Sequence, residues 1–251
     1  AYEPKLGRIP IRELSPQQPD NLWPAKAFVG EVVPFQATAF KEGHDVIGVD
    51  LLLTAPGGAQ TVHRMSQLDE GTDRWQVEAL LDTPGDWSWS VQAWLDEWAT
   101  WLHVAEIKVP AGIDVQVTLA EGARLLAKAS AAAPESKTLK DAAKNIASKS
   151  LAPTARLRAA TDQRVTDEIE RQPLASLLTL SMPLTLRVER TRAGVGSWYE
   201  FFPRSEGAKR ARNGTWTSGT FRTAARRLPA VAQLSFEVVY LPPVHRIGTS
   251  F

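Results

Sequence analysis

The most regular hydrophobic pattern in the chain is an alternation within the segment PGDWSWSVQAW. Trp87, Trp89, Val91 and Ala93 alternate there with small polar residues. Successive side chains of a β-strand point to opposite faces, so this alternation predicts a strand with one buried face. Comparable short segments cover residues 9–111 and include EVVPFQATAF, DVIGVDLLLTAP, HRMSQL and DRWQVEALL. Short strands separated by turn residues at this spacing are typical of an antiparallel β-sandwich.

After residue 112 the hydrophobic positions change to a helical spacing. The segments VTLAEGARLLAKASAAA, SKTLKDAAKNIASKS, PTARLRAATD and RVTDEIERQPLASLL are rich in residues that favour helices. One stripe of a helix contains Leu119, Ala123, Leu126 and Ala127, and Pro153 stands where a helix starts. The pattern predicts three or four helices that form a small bundle.

Strand-like segments return in PLTLRVER and GSWYEFFPRS. We expect both to rejoin the sandwich, which makes the helical block an insertion. A further helix is predicted in SGTFRTAARRLPAVAQLS, with Pro229 kinking or restarting it. The apolar run from Phe236 to Leu241 follows that helix, as expected for a strand buried in a parallel sheet. Because no second run of this kind follows, we expect this strand to be unpaired and to begin a larger α/β domain.

The composition narrows the kinds of site that the chain can hold. None of its 251 residues is a cysteine, which excludes disulfides, zinc–thiolate sites and thiol nucleophiles. No apolar run approaches the roughly 20 residues that span a bilayer, and the start AYEPKLGRIP lacks the apolar stretch of a signal peptide. We therefore expect a cytoplasmic protein without a membrane partner. His44, His63, His103 and His245 share no ligand spacing, so no metal site is predicted.

The small net charge of +1 conceals an uneven distribution along the chain. Residues 1–112 carry 8 Lys+Arg against 16 Asp+Glu, whereas residues 113–251 carry 21 against 12. A basic half can indicate a nucleic-acid surface, but the interleaved aromatic and basic residues of such modules are missing. The distribution favours two parts of one molecule, or of a dimer, that face each other with opposite sign. We therefore expect no nucleic-acid partner.

Three segments near the C-terminus resemble one family. They are GSWYEFFPRSEG, GTFRTAARRLP and VVYLPPVHRIG, and the family is the bacterial alpha-1,4-glucan:maltose-1-phosphate maltosyltransferases, relatives of the alpha-amylases. GRIPI, PAKAFVGEVVPFQATAFKEGHD, GTDRW, VQAWLDEWATWLH, EIKVPAGID and LAEGARLL also resemble that family's N-terminal region in order and spacing. The resemblance covers essentially the whole chain. It departs from the family pattern where Ser235, Phe236 and Glu237 replace Gly-Phe-Asp, and where Arg246 rather than proline follows His245.

The resemblance implies a mainly β-sandwich N-domain with an α-helical bundle insert, followed by the start of a (β/α)8 barrel. We place the sandwich at residues 1–112 and the helical insert at residues 113–179. The strands that return to the N-domain, and the joint to the barrel, are placed at residues 180–203. The start of the barrel is placed at residues 204–251, with Phe236 to Leu241 as its first strand.

The resemblance also implies a reaction and its partners. Members of the family transfer maltosyl units with retention from alpha-maltose 1-phosphate to an alpha-1,4-glucan, without a cofactor. Retention needs two carboxyl groups about 5 to 5.5 Å apart, and in relatives these come from later barrel strands. We therefore expect no catalytic residue in this chain, which would serve dimerisation and barrel support in a homodimer. The alternative function is a free-standing carbohydrate-binding or assembly module.

Two sets of candidate site residues lie near the C-terminal end. Tyr240 and His245 stand at the end of the last predicted strand, where side chains can reach a substrate or pack in a barrel. The resemblance implies that GSWYEFFPRSEG forms the joint between sandwich and barrel, where large aromatic side chains bury area. The four aromatic residues of this joint are Trp198, Tyr199, Phe201 and Phe202.

A third set is the dense group of tryptophans before the helical block. Residues 75–101 hold six of the nine tryptophans, and the alternating ones are expected in the core. Trp94, Trp98 and Trp101, in the segment WLDEWATW, do not fit that alternation. Packing on the helical insert, contact with a dimer partner and stacking on a glucan all remain open for these three residues.

Overall fold

A computed structural model of the chain, which describes residues 7–69 and 71–245, places the alternating segments in antiparallel sheets. Arg246 and both chain ends lie outside the described residues. The first ten strands are β1 (Ile11–Ser15), β2 (Ala25–Phe28), β3 (Glu31–Ala39), β4 (Ile47–Thr54), β5 (Gln60–Arg64), β6 (Ser66–Gln67), β7 (Arg74–Leu81), β8 (Gly85–Asp96), β9 (Ala175–Leu180) and β10 (Leu184–Glu189). Contacts divide the described residues into two units: unit 1, residues 7–27 and 31–188, and unit 2, residues 28–30 and 189–245.

Two sheets make up the β part of unit 1. The first has the strand order β1-β3-β7-β6, and the second has the order β2-β10-β8-β4-β5, with β9 also paired to β8. The ring of Phe35 on β3 meets the ring of Trp89 on β8 edge to face, with centroids 5.0 Å apart. Apolar side chains of the two sheets are therefore in direct contact.

Strand β8 confirms the burial that its alternation predicts. Trp87, Trp89, Val91 and Ala93 are all buried. The register pairs Trp89 with Leu53 of β4, and β10 and β9 pair with the other edge of β8. The strand is long enough, at 12 residues, to hold three neighbours in register.

Five helices follow β8 in unit 1. They are α1 (Glu97–Lys108), α2 (Val115–Ala132), α3 (Lys137–Ala147), α4 (Pro153–Ala160) and α5 (Gln163–Arg171). Three of these starts have a local cause: Asp96 accepts the Ala99 N–H at 2.9 Å, Ser136 accepts the Leu139 N–H at 3.0 Å, and Pro153 occupies the first turn of α4. The coarse prediction of a mostly β region with a helical part is confirmed.

The expected limits of the helical block, residues 113 and 179, do not coincide with the observed ones. Helix α1 begins at Glu97, because the Asp96 carboxylate caps it and its apolar residues recur at helical spacing. At the other end, β9 forms a strand instead of helix, because its backbone completes the edge of β8 through pairs such as Gln92–Leu180. The segment 113–179 therefore omits one helix and includes one strand.

The helices enclose their own apolar core. Trp98 and Trp101 of α1 lie in it with their ring centroids 4.6 Å apart, and the indole N–H of Trp101 donates to the Thr118 carbonyl at 2.7 Å. Gly122 of α2 lies against the Trp101 ring, and a Cβ at this position would overlap that ring. The close approach of α1 to α2 thus requires glycine at residue 122.

Unit 2 contains a parallel strand pair joined by helices. Its elements are β11 (Trp198–Glu200), β12 (Lys209–Arg210), β13 (Trp216–Thr217), α6 (Phe221–Ala224), α7 (Leu228–Gln233) and β14 (Val238–Tyr240). β11 and β14 are parallel, whereas β12 and β13 form a small antiparallel hairpin. A 3-10 turn separates α6 from α7, and Pro229 stands in the first turn of α7, which confirms the predicted restart of the helix.

Two expectations about these strands are wrong. The segment GSWYEFFPRS does not rejoin a sheet of unit 1, because β11 pairs with β14 in a separate sheet. The strand predicted from Phe236 to Leu241 is shorter than expected and is not unpaired. The reason is a β-helix-β connection, in which a helical crossover brings two parallel strands side by side.

We predict that Gly122→Ala lowers the free energy of unfolding by about 1–3 kcal/mol, because the added Cβ meets the Trp101 ring. Helix propensity alone predicts a gain of about 1 kcal/mol for the same change, so the sign of the effect is diagnostic. Chemical denaturation of the purified chain provides the measurement. Gly57→Ala is the control, since no atom lies within 4 Å of its added Cβ. Stabilisation by Gly122→Ala would contradict the packing described here.

Candidate functional site at the carboxyl ends of two parallel strands

The carboxyl ends of β11 and β14 lie at the same edge of their sheet. The register pairs Trp198 with Val238 and Glu200 with Tyr240, so both strands run in one direction. Helices α6 and α7 return the chain between them. In sheets built this way, ligands bind in crevices outside the carboxyl ends of the strands. This edge of unit 2 is therefore the candidate position for a site.

One face of the β11–β14 pair is packed and the other is open. On the packed face the Tyr199 ring lies 5.1 Å from the Phe236 ring and 6.1 Å from the Phe201 ring. The Arg227 guanidinium, from the helical crossover, lies 5.8 Å from the centre of the Tyr199 ring. On the open face the rings of Trp198 and Tyr240 lie 6.3 Å apart and are 63% and 46% exposed.

The four aromatic residues predicted to form a joint are divided between these environments. Phe201 is buried and Tyr199 is half-buried, both within the packed face of unit 2. Trp198 and Phe202 are exposed, at 63% and 60%. The segment therefore contributes both to the interior of unit 2 and to its apolar surface.

Tyr240 and His245 both lie on the carboxyl side of β14. Tyr240 is the last residue of the strand, and its carbonyl accepts a long hydrogen bond of 3.4 Å from the Phe201 N–H. His245 is exposed, and its carbonyl accepts a hydrogen bond of 2.6 Å from Nη2 of Arg204. Both candidates therefore lie at or beyond the end of β14, and their role toward a substrate stays a prediction.

A groove of about 160 Å³ lies at this same edge. Its apolar lining consists of Phe202, Pro203, Phe221, Pro242, Pro243 and Val244, and its polar lining includes Arg204 and Thr220. Phe202 follows β11, Pro242 follows β14, and Phe221 begins α6. Three chain segments that are distant in sequence therefore meet in one concavity. Sequence reasoning missed the groove, although each segment follows or precedes a predicted element.

The three tryptophans proposed as a glucan or partner contact are interior residues. Trp94, Trp98 and Trp101 are only 2–3% exposed. Trp98 and Trp101 pack in the helical core. Trp94 lies against Gly48, and the Arg64 guanidinium is 4.9 Å from the centre of its ring. None of the three presents a ring face to solvent, so packing accounts for them.

A buried polar cluster around Asp50 was also missed by the sequence analysis. The Asp50 carboxylate accepts hydrogen bonds from Nε of Arg64, from the Trp94 indole at 2.9 Å and from the Gln92 amide at 3.0 Å. Because a buried carboxylate needs such partners, the aspartate in the middle of the apolar strand IGVDLLLT was a usable signal. All three donors bind the carboxylate from neighbouring strands, which indicates a structural role.

The Asp96 carboxylate, whose pKa is shifted, has a structural role as well. Burial raises the pKa of the Asp96 carboxyl, while the Ala99 N–H and the Arg64 charge oppose that rise. This side chain is the cap of α1. Among residues 7–69 and 71–245, no group of three or more His, Asp or Glu side chains is arranged to hold a metal ion.

Comparison with known proteins decides the family. Residues 7–190 match the family model described as "Alpha-1,4-glucan:maltose-1-phosphate maltosyltransferase, domain N/S". The chain belongs to this maltosyltransferase family. Its relatives include alpha-1,4-glucan:maltose-1-phosphate maltosyltransferase 2 of Streptomyces coelicolor, which is 45% identical over 249 residues, or 98% of this chain and 36% of the relative. The corresponding enzyme of Mycolicibacterium smegmatis is 35% identical over 274 residues, or 96% of this chain and 39% of the relative.

The match to the maltosyltransferase family covers only part of each relative. The chain spans just over a third of the length of these curated relatives and corresponds to their N-terminal portion. The domain N/S match ends at residue 190, and the β11–β14 unit lies beyond it. Within the part of the chain that the structure describes, no helix combines the length and the apolar character needed to cross a bilayer.

We predict that Asp50→Asn lowers the free energy of unfolding by about 1–3 kcal/mol. The amide has only one oxygen, so it cannot accept from Arg64, Trp94 and Gln92 in the present geometry. Equilibrium denaturation measures the loss. Asp114→Asn is the matched control, because Asp114 forms an exposed ion pair of 2.9 Å with Lys108, and such pairs contribute less than about 1 kcal/mol. Equal losses of unfolding free energy in both variants would show that the Asp50 cluster stabilises the fold no more than an exposed ion pair does.

Proposed function

We propose that this chain is the N-terminal portion of a retaining glycosyltransferase. The enzyme moves maltosyl units from alpha-maltose 1-phosphate to the non-reducing end of an alpha-1,4-glucan and releases phosphate. The names of these relatives, which are maltosyltransferases that act on alpha-1,4-glucan and maltose 1-phosphate, support both substrates. The observation that carries the proposal is the order of parts: a domain N/S match over residues 7–190 is followed at once by a parallel β-helix-β unit.

The β-helix-β unit supports a (β/α)8 barrel in the second part of the enzyme. Such a barrel repeats a strand and a helix eight times, with the helices outside. In unit 2, helical residues cover the Tyr199 face of the strands, and the Trp198 and Tyr240 face is open. In the proposed barrel the open face is the interior, and β11 is the first strand. The segment from Phe236 to Leu241 then holds the second strand, not the first.

The chemistry of retention assigns this portion a supporting role. Retaining transfer needs a carboxylate nucleophile and a carboxylic acid about 5 to 5.5 Å apart. In the proposed enzyme both come from later strands of the barrel, at the face formed by the carboxyl ends. Tyr240 and His245 lie at the corresponding edge of unit 2 and are proposed to face substrate from there.

Unit 1 is proposed to be a β-sandwich that carries a helical bundle. The contact between Phe35 and Trp89 across the two sheets supports the sandwich. The bundle then comprises the helices from Glu97 to Arg171. The joint at which the sandwich ends and the barrel begins along the chain is proposed to contain Trp198, Tyr199, Phe201 and Phe202, because these residues follow the end of the domain N/S match at residue 190.

The helical bundle is also proposed to form the interface of a homodimer. Four aliphatic residues on α1, α2 and the turn between them are exposed: Val104, Ile107, Ile113 and Val117. Contiguous apolar patches mark interaction surfaces, and these four residues are proposed to form one. The uneven charge of the chain also favours association of two copies, because opposite charges at the rim of an interface increase the rate of encounter.

We expect the purified 251-residue chain to release no phosphate from alpha-maltose 1-phosphate. The carboxylate pair of the proposed mechanism belongs to later barrel strands. A phosphate assay with maltohexaose as acceptor makes the measurement, and a protein extended to the length of the relatives is the positive control. Turnover by the chain alone would refute the assignment of catalysis to the rest of the enzyme.

We expect Val117→Glu to convert the dimeric chain to a monomer, because the charge would be buried against apolar residues of the partner. Sedimentation velocity of the purified chain at several concentrations measures the change. Val195→Glu is the matched control: both valines are exposed, at 72% and 77%, but Val195 lies outside the helical bundle. A dimer that keeps its affinity in Val117→Glu would place the interface elsewhere.

A further inference from the structure

The groove at the carboxyl ends of β11 and β14 has an apolar floor and a polar rim. Phe202 and Phe221 are each 60% exposed and line the same concavity. Small-molecule sites typically combine an apolar lining with a few placed polar groups. The volume of about 160 Å³ is below the range of sites that enclose a whole drug-sized ligand. It has the size to receive about one ring of a larger molecule.

We infer that this groove holds one glucose ring of an alpha-1,4-glucan, with Phe202 and Phe221 as stacking surfaces and Arg204 as a donor to hydroxyl groups. The inference rests on the proposed function, which supplies the glucan as a partner. It adds a position for that partner, on residues of this chain that neither the family match over residues 7–190 nor the carboxylate mechanism involves.

The chemistry of a pyranose ring fits the lining of the groove. Its faces carry C–H groups that pack on aromatic rings, while hydroxyl groups surround its rim. Arg204 is already oriented, because its Nη2 donates to the His245 carbonyl at 2.6 Å. A guanidinium has five N–H donors, so further donors remain for hydroxyl oxygens. Thr220 adds a second polar side chain at the same rim.

Two other occupants fit less well. A phosphate group favours several cationic donors, whereas this groove has one cationic side chain and an apolar floor. A covering segment of protein chain would bury the Arg204 guanidinium, which then needs acceptors for all its remaining donors. The groove also lies at the ends of the strands, where ligands bind in such sheets, and not on a face where helices pack.

Isothermal titration of the 251-residue chain with maltohexaose tests the inference. We expect saturable binding of maltohexaose and at least tenfold weaker binding of cellohexaose, whose β-linkages present the rings differently. Phe202→Ala and Phe221→Ala should each raise the dissociation constant about tenfold, as expected for the loss of one aromatic contact. Phe221→Trp should keep the affinity because it keeps an aromatic face.

Phe221→Leu separates stacking from simple packing. Leucine keeps apolar bulk but has no ring, so we expect its affinity to fall as far as that of Phe221→Ala. Phe40→Ala, which changes a partly exposed phenylalanine of unit 1, should leave the affinity unchanged. Thermal unfolding of each variant identifies losses of binding that follow from misfolding. If Phe221→Ala is misfolded, Phe221→Trp replaces it as the decisive comparison.

Two results would overturn the inference: no binding of maltohexaose by the folded chain, or wild-type affinity in Phe221→Leu. Neither result bears on phosphate release by the extended protein, which tests the proposed function separately. Conversely, specific binding by the groove in a protein that fails to transfer maltosyl units would leave this inference standing and reject the proposed reaction.

Discussion

Strand β8 packs side chains on both of its faces and also pairs with three neighbouring strands. The fold of unit 1 depends on this double constraint. One face sends Trp89 to meet Phe35 of the first sheet, and the other sends Trp94 to the Asp50 cluster. The strand then ends at Asp96, whose carboxylate starts α1. Because side chains alternate with a period of two, a slip of one residue would exchange the faces and break the core and the cluster. The start of the helices depends on the same register.

The dense tryptophans of unit 1 are explained by the layers that they fill. Trp89 packs against the other sheet, Trp94 packs beside a glycine, and Trp101 packs between helices. Each large ring needs space, and Gly48 and Gly122 provide it by having no side chain where Trp94 and Trp101 lie. Aromatic abundance in this region therefore reflects packing. In unit 2, by contrast, Trp198, Phe202 and Phe221 are each at least 60% exposed, so packing within the described residues of that unit leaves most of their area uncovered.

Local periodicity explains which features were predictable from sequence. The alternation at residues 87–93 and the helical stripe of α2 are set by neighbouring residues. The alternation was confirmed, and in the stripe Leu119 and Leu126 are buried whereas Ala127 is exposed. The aspartate at position 50 was visible as a polar residue in an apolar strand, but its partners were not, because Arg64 and Trp94 come from other strands. The groove could not be predicted for the same reason, since its lining joins residues 202, 221 and 242.

The sequence by itself determined most of the elements, their order and the family, because spacing, caps and motifs are properties of short segments. Only the tertiary structure decided that β11 pairs with β14, since parallel pairing depends on a partner about 40 residues away along the chain. It likewise decided that Ala175–Leu180 completes the edge of β8 instead of extending the helices, and that Trp98 and Trp101 are interior. Burial and strand pairing are set by residues distant in sequence, which no local pattern specifies.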